Sequence, residues 1–473
     1  MTCQTNRQRR ADLSGHPVLL LAIFTCTFFY YRDFGARMIY GYAALGVILA
    51  LRWFDRLRRN EPPQRTPVTL AAAVLACLIL LQFLRPDARR DEDTLSYLIS
   101  MVICIAYVAA APTPVPAVRR AETAIYWGAM AMALFVVVFT LLPGLFLELV
   151  YPLLSETARR YYDFFAPLGY GVSLGGYSYS DYILYLGMAV CCADLAVKPR
   201  TERRIVRNSL SLAFLLLAMV ILGRRGELLA ALVATGLLVL ALCSRRKRRI
   251  ILLAGALCAI GGIALVLIFL PYLRQIPVLA RYVETVEQIL SGTDFTSGRG
   301  PLMAAAVKGF LAHPIFGLGW GQYLQLSAEI GMCDPNGKLM ADCHNIYLQF
   351  LCETGVVGAV LLLIPIGYLL ITACRMLRHA KAAGDPDALR FASVSFLIQF
   401  FLLFLGLYDP SFQKLVFWCF YALALLFLNA AMVRSGWLPT GPVSRALARL
   451  DGLLTAALTR LRNSLRTPWK EGK

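Results

Sequence analysis

The chain is dominated by apolar runs, each about as long as a membrane is thick. Hydrophobic residues make up 59% of its 473 residues and charged residues only 16%, which is far from the balance of a soluble protein. A helix needs roughly 20 apolar residues to cross a bilayer core, and its backbone polar groups must be paired within the helix. The sequence therefore predicts an all-α, polytopic membrane protein.

The hydropathy pattern predicts about twelve transmembrane helices. Their expected ranges are 15–31, 35–54, 67–84, 94–111, 123–146, 168–197, 209–223, 226–243, 250–270, 346–372, 390–408 and 415–433. The first is not expected to be a cleaved signal, because Arg32 and Asp33 follow it and the pattern contains no small-residue cleavage site. The sixth is rich in glycine, so we expect it to be broken or tilted.

The loops between these spans form two sets that differ in basic charge. Loops after even-numbered spans, and both termini, contain runs such as RLRRNEPPQR and carry about twice the Lys and Arg of the other set. Basic loops are typical of the cytoplasmic side. We therefore predict a bacterial inner-membrane protein with cytoplasmic termini and the other loops in the periplasm. The net charge of +19 then reflects topology, and no nucleic-acid partner is expected.

These predictions divide the chain into four parts. They are an N-terminal bundle of about nine spans at 1–270, a periplasmic loop at 271–345, three further spans at 346–433, and a cytoplasmic tail at 434–473. The loop is the only sizeable one expected, with short amphipathic helices and one helix between Gly300–Pro301 and His313–Pro314. The tail sets leucines against arginines at helical spacing, which favours a helix lying on anionic membrane lipids. A partner-binding helix is the alternative.

The cysteines give no sign of a metal centre. Most of the thirteen lie in predicted spans, where cysteine behaves as a small apolar residue. Cys333 and Cys343 flank the turn DPNGKLMAD in the predicted loop, where they either close a disulfide ring or remain two free thiols. The sequence has no CxxC pair and no Cys/His zinc spacing, so no metal or cofactor is expected.

Three places put cationic or titratable side chains on the predicted periplasmic side. Arg224 and Arg225 fill a short turn, where they either meet anions, snorkel to headgroups, or pair with Glu227. Arg299 lies between glycines directly before a helix, which suits a phosphate, although an ion pair is the alternative. His344 also precedes a helix, where it is either part of an N-cap or a general base.

Two longer motifs resemble the O-antigen ligase and O-antigen polymerase superfamily. SGRGPLMAAAVKGFLAHPIFGLGWGQY is followed by HNIYLQFLCETGVVG, and the order Gly-Arg, His-Pro-x-x-Gly-x-Gly, His-Asn-x-Tyr-Leu-Gln and Glu-x-Gly is similar to that family's signature. LGRRGELLAALVA resembles its upstream Ser-Arg-Gly-Ala segment, with a doubled arginine in place of the usual pattern. The resemblance covers about 209–372, and the remainder matches only in its layout of spans.

The resemblance implies metal-independent, inverting glycosyl transfer from an undecaprenyl-diphosphate-linked glycan at the periplasmic face. In a ligase the acceptor is a sugar hydroxyl of lipid A–core, and in a polymerase it is the sugar of another lipid-linked glycan. The resemblance implies that Arg225 and Arg299 bind the diphosphate. It also implies that His344 activates or orients the acceptor hydroxyl. Arg224 is a second candidate, because the doubled arginine shifts the alignment by one residue.

Four residues after His344 are further candidates for substrate binding: Asn345, Tyr347, Gln349 and Glu353. The predicted helix places Gln349 where it could orient a sugar and Glu353 where it could pair with an arginine. His313 is assigned to the loop turn with Pro314.

Two other classes fit parts of the pattern. A lipid-linked glycan transporter also has many spans, but the two halves here do not resemble each other, and Asp181 is the main charge inside a span. A protein-glycosylating enzyme of the same superfamily often carries an added external domain. We expect a ligase ahead of a polymerase.

Overall fold

The computed structural model describes residues 66–110, 115–174, 177–197, 201–275, 277–292, 299–329, 342–410 and 415–466, with isolated residues at 43, 46–47, 50 and 331. The predicted spans 15–31 and 35–54 lie almost entirely outside these ranges, as does Cys333. All regular structure in the described ranges is helical, which confirms the predicted fold class.

The described chain forms sixteen α-helices. The first nine are α1 (Pro67–Phe83), α2 (Glu92–Ala110), α3 (Val115–Leu141), α4 (Pro143–Leu149), α5 (Glu156–Phe165), α6 (Tyr177–Ala196), α7 (Glu202–Ile221), α8 (Arg225–Leu242) and α9 (Arg245–Leu273). The others are α10 (Pro277–Ser291), α11 (Gly300–Ala312), α12 (Tyr323–Glu329), α13 (Ile346–Ala383), α14 (Pro386–Leu405), α15 (Leu415–Ser435) and α16 (Pro442–Arg466).

Several of these helices have the length and composition of membrane spans. Among the described residues, seven are long and apolar enough to cross a bilayer, namely α3, α7, α8, α9, α13, α14 and α15. Each predicted span from the third to the twelfth coincides with one helix. The protein is therefore a polytopic helical membrane protein, while the full count of twelve stays a prediction.

The sixth span is broken near its start, as its glycines led us to expect. The predicted range begins at residue 168, but the chain from Gly169 to Leu174 is not helical and α6 begins only at Tyr177. Gly169 has a left-handed φ of 79°, which ends the preceding turn. Gly171 lies so close to the end of α7 that an added Cβ would be 2.6 Å from the Ile221 carbonyl oxygen.

A second sizeable segment without a long helix runs from 142 to 174; whether 271–345 is the only large loop outside the membrane stays a prediction. The predicted fifth span continues to residue 146, whereas α3 ends at Leu141 before Pro143. Two short helices, α4 and α5, follow, and α5 carries charged side chains that include Glu156 and Arg160. The sequence ETARRYYDFF is too polar to cross a bilayer, although apolar residues surround it.

The centre of the bundle is formed by α6, α14 and α15. Both α14 and α15 are buried along most of their length, and Tyr185 of α6 stacks on Phe401 of α14 with ring centroids 3.8 Å apart. By contrast, the described side chains of α9 are almost all exposed. Exposed apolar side chains of this kind suit contact with lipid tails, which are as apolar as leucine.

Five connecting segments meet at one end of the bundle, which we call the site face: 85–91, 142–174, 222–226, 313–322 and 406–409. The Arg89 amide donates to the Trp320 carbonyl at 2.8 Å, and the Gly171 amide donates to the Leu222 carbonyl at 3.3 Å. The site face therefore collects the loops that the charge pattern placed in the periplasm.

Ion pairs join the helix ends at the other end of the bundle, which we call the opposite face. Arg119 pairs with Asp387 at 2.6 Å, and Arg390 pairs at 3.0 Å with Glu122, which is 1% exposed. Arg375 donates to the Thr440 carbonyl just before α16. The opposite face thus gathers the more basic set of loops, and α16 forms where the amphipathic tail was predicted. The compartment on each side stays a prediction.

Candidate active site

Helix α13 is broken near its start, and another loop passes through the break. Gly355 has φ 64° and ψ −174°, which no helical residue adopts. The segment 313–319 lies in the gap and binds the backbone on both sides. Four backbone hydrogen bonds close it: Leu318 N–H to Cys352 C=O (2.9 Å), Gly319 N–H to Glu353 C=O (2.9 Å), Val356 N–H to Pro314 C=O (2.9 Å) and Val357 N–H to Ile315 C=O (3.2 Å). The backbone groups freed by the break are therefore paired.

Two glycines permit this crossing. A Cβ on Gly317 would lie 2.4 Å from the Glu353 carbonyl carbon, and a Cβ on Gly355 would lie 2.3 Å from the Ile315 oxygen. Both also have left-handed φ values, 73° and 64°. The motifs HPIFGLG and ETG thus contact each other directly, although they lie far apart along the chain.

Gln349 and Glu353 face the crossing loop. Glu353 is 3% exposed, and its Oε1 accepts hydrogen bonds from Gln349 Nε2 at 3.2 Å and from the Tyr323 amide at 3.3 Å. The expected arginine partner of Glu353 is absent from the described residues, because this carboxylate points at backbone amides of the loop. Gln349 is 4% exposed and directed at Glu353, which favours a structural role over contact with a sugar.

The turn 406–409 contacts all three segments that the sequence singled out. Arg299 Nη1 donates to the Tyr408 carbonyl at 2.8 Å, and Asn345 Nδ2 donates to the Leu407 carbonyl at 3.0 Å. The Tyr408 hydroxyl donates to the carbonyl of Gly226, the residue after Arg225. The predicted site residues are therefore assembled around one turn of the site face.

His344 lies directly before the N-cap of α13. Asn345 provides that cap, since its Oδ1 accepts from the amides of Tyr347 (3.1 Å) and Leu348 (3.0 Å). His344 is half-buried and has φ 56°, and no other described non-glycine residue has a positive φ. Backbone strain of this kind costs about 1–3 kcal/mol and often marks functional sites. Asn345 supplies these cap bonds with its own side chain, so the choice between a shared cap and a general base for His344 stays open at this point.

The two adjacent arginines differ in their surroundings. Arg224 has a side chain that is 14% exposed, with Nε 3.2 Å from Asp181 Oδ2 and Nη1 3.0 Å from Glu227 Oε1. Its guanidinium also lies 6.0 Å from the ring centroid of Tyr170. The pairing with Glu227 that the sequence allowed is therefore present. Arg225 is half-buried and begins α8.

Arg299 meets a different kind of partner. It precedes α11 without a side-chain cap, and its hydrogen bond goes to an uncharged carbonyl. Within the described ranges it forms no ion pair. The carboxylates near Arg224 balance that residue's charge, whereas the charge of Arg299 has no such partner there.

Two further predicted residues have structural contacts. The Tyr347 hydroxyl donates to the Leu403 carbonyl of α14 at 2.6 Å, which ties α13 to the bundle. Cys343 is a buried free thiol, so the free-thiol alternative holds for this residue. The described residues contain no group of three His, Cys, Asp or Glu side chains that could hold a metal ion.

The sequence did not predict the role of the turn 406–409. Residues 406–408 were expected as the end of the eleventh span, and only 409 as the start of a short connection. Their role was not visible because the contacts use the main-chain carbonyls of Leu407 and Tyr408. The available signal was Asp409, a charged residue at the end of a long apolar run. Asp409 is 7% exposed in the structure.

Fold and site together define a polytopic helical membrane protein with a cationic site at one end of its bundle. Residues 210–363 match the family described as O-antigen ligase. That range contains the arginine turn, Arg299 and His344, so the match confirms the resemblance to the O-antigen ligase superfamily over these residues. The family points to a membrane glycosyltransferase-like ligase or polymerase, with lipid-linked glycan and acceptor substrates in general. A comparison with curated proteins finds no match.

Proposed function

We propose that the chain is an O-antigen ligase-like glycosyltransferase. It moves a glycan from undecaprenyl diphosphate to a sugar hydroxyl of lipid A–core, at the periplasmic face of a bacterial inner membrane. The observation that carries this proposal is the turn 406–409, which holds Arg299, the His344 segment and the Arg225 turn at one site. The family match at 210–363 supports the same conclusion.

The reaction requires that negative charge on the leaving diphosphate is stabilised and that a proton is removed from the acceptor hydroxyl. The acceptor oxygen attacks the anomeric carbon, and the bond from that carbon to the diphosphate oxygen breaks with inversion. Negative charge grows on the departing diphosphate, where fixed guanidinium groups lower the barrier. The acceptor hydroxyl loses its proton to His344, whose ordinary pKa lies near neutrality. Energy comes from the donor's own diphosphate bond.

The geometry favours Arg225 and Arg299 for the diphosphate. An arginine has five N–H donors, and Arg299 uses Nη1 on a neutral carbonyl, which fixes its position and leaves other donors for a ligand. Arg224 lies between Asp181 and Glu227, so we assign it to supporting the turn. Asn345 positions His344 through its cap and its bond to Leu407.

A strain lacking the gene provides the test. The unmutated gene, His344→Ala and the control His313→Ala are each returned to it, and extracted lipopolysaccharide is separated on a gel. His313 is exposed at the end of α11 and is assigned only to the loop turn with Pro314, a structural role. We expect the unmutated gene and His313→Ala to restore a glycan ladder on lipid A–core, and His344→Ala to accumulate lipid-linked glycan.

The same gel separates the alternatives. If the unmutated gene changes only chain length on the lipid carrier, the chain is a polymerase whose acceptor is another lipid-linked glycan. Full transfer by His344→Ala would rule out the role of His344. Loss of transfer in both histidine variants, with both proteins folded, would show that the loop tolerates no substitution and would leave His344 without a specific role.

A further inference from the structure

Tyr323 is buried where three parts of the proposed site meet. It begins α12, directly after the glycine-rich end of the crossing loop, and it is 0% exposed. Its ring packs in a small cluster with Ala306 of α11, with Cys343 just before α13, and with Cys352 inside α13. This cluster is separate from the main core of the bundle, so Tyr323 packs against site segments on several sides.

The hydroxyl of Tyr323 contacts the helix that follows Arg299. It donates to the Leu302 carbonyl at 2.8 Å, in the first turn of α11. Leu302 is three residues after Arg299, and the Met303 amide donates back to the Arg299 carbonyl at 3.1 Å. A displacement of this turn would therefore move Arg299.

The same side chain contacts the residue before His344. The Cys343 thiol interacts with the Tyr323 side chain, and burial raises the pKa of Cys343 to about 12. This thiol therefore stays protonated near neutrality and serves as a neutral contact. Because Cys343 immediately precedes the strained His344, its position helps to set the direction of the imidazole.

The backbone of Tyr323 makes the third connection. Its amide donates to Glu353 Oε1 at 3.3 Å, next to the break in α13. One residue thus contacts the Arg299 helix, the His344 segment and the broken helix, while the turn 406–409 holds Arg299 and Asn345 from elsewhere.

We propose that Tyr323 is a positioning residue that sets the separation between Arg299 and His344, with its hydroxyl as the connecting group. The proposal rests on the proposed function, because it needs both residues to act on one substrate. A shift of about 1 Å between reacting groups can lower a rate by about a hundredfold, so a single buried hydroxyl is sufficient for a measurable effect.

The first experiment compares Tyr323→Phe with Tyr185→Phe. Each variant loses one hydroxyl that donates to a carbonyl, since Tyr185 donates to Leu397 at 3.1 Å and is 1% exposed. Amide hydrogen exchange is measured by mass spectrometry on the full chain in detergent. We expect roughly five- to tenfold faster exchange in Tyr323→Phe within 300–304 and 343–348. Tyr185→Phe should change exchange only around α6 and α14.

The second measurement is turnover with a lipid-diphosphate glycan donor. We expect Tyr323→Phe to lower turnover about tenfold with KM for the donor within about twofold of the unmutated value, because positioning acts on the chemical step. Tyr185→Phe should retain its turnover. Cys343→Ala removes the thiol but keeps the bond from Tyr323 to the Leu302 carbonyl, so it should increase exchange more in 343–348 than in α11.

The outcomes separate the two proposals. If the unmutated chain transfers glycan and Tyr323→Phe shows unchanged exchange in both segments, or turnover equal to Tyr185→Phe, the positioning role is wrong. If exchange increases in both segments but the unmutated chain transfers no glycan, the structural link stands, the proposed function fails, and the positioning role fails with it.

Discussion

Replacing Gly355 by alanine should expel the crossing loop from the break in α13. The backbone angles at Gly355, φ 64° and ψ −174°, are those that only glycine adopts readily. A Cβ there would also lie 2.3 Å from the Ile315 oxygen and 2.5 Å from the Phe316 nitrogen. Both contacts are with backbone, so no change of side-chain rotamer relieves them.

The free-energy cost of Gly355→Ala has two parts. The unfavourable backbone angles contribute about 1–3 kcal/mol. If the loop leaves the gap, four backbone hydrogen bonds are lost, at about 0.5–1.5 kcal/mol each. The total is about 3–9 kcal/mol. This exceeds typical single-residue effects, so we expect the loop to open locally while the bundle remains folded.

Limited digestion with chymotrypsin measures this opening. Phe316 is 63% exposed in its side chain, but the backbone around it is held by the helix, and Arg85 also donates to its carbonyl. We expect faster cleavage after Phe316 in Gly355→Ala and a lower thermal midpoint. The matched control is Gly367→Ala on the same helix, where an added Cβ meets nothing within 4 Å. Equal cleavage rates and midpoints in Gly355→Ala and the unmutated chain would refute the reasoning.

Three further substitutions separate folding from activity. Arg225→Ala should abolish glycan transfer in protein that remains folded. Arg224→Ala should lower the thermal midpoint, since two buried carboxylates lose a partner at about 3–5 kcal/mol. Full transfer by folded Arg225→Ala protein would rule out its role. Asn345→Ala removes a cap worth about 1 kcal/mol and should reduce transfer more than stability, as a gel and a melting curve on the same preparation would show. Arg390→Met leaves Glu122 buried and unpaired, so it should lower the midpoint but keep transfer per folded molecule within about twofold; complete loss of transfer in folded protein would contradict this.

Hydropathy predicted the spans well because the bilayer imposes two simple requirements on them. A helix that crosses a bilayer must pair its backbone groups and must be apolar over about 20 residues, and both requirements can be read from the sequence. The bounds of α11 were also predictable, since Gly300–Pro301 and His313–Pro314 are strong local signals for the ends of a helix. Spans and helix ends are determined by residues that are close together in the chain, so they can be predicted from the sequence alone.

The break in α13 was not predictable in the same way. Gly355 lies inside a long apolar run, and glycine within such a run is common in membrane helices. What makes it essential is the insertion of residues 313–319, a contact between motifs distant in sequence. Segment 142–174 was missed for a related reason, because its short apolar stretches on either side of α5 resemble the ends of spans.

The site itself was only partly predictable, because its assembly depends on main-chain atoms. The sequence selected Arg299 and His344 by residue type, but it could not show that Tyr408 and Leu407 offer the carbonyls that hold their segments together. A carbonyl is present at every residue, so no residue type marks it. Tyr323 was likewise hidden, since a buried tyrosine in a helix is usually part of a core.

Arg224 and Arg299 differ in the groups that surround their guanidinium groups. Arg224 lies between two carboxylates, so its field is largely cancelled a few ångströms away. Arg299 is held by a carbonyl, which fixes the guanidinium without cancelling its charge. Under the proposed function we expect a diphosphate to bind at Arg299 and not at Arg224, although both residues are arginines on the same face. Asn345 holds the His344 segment next to the same turn, so the proposed reaction places His344 beside the leaving group.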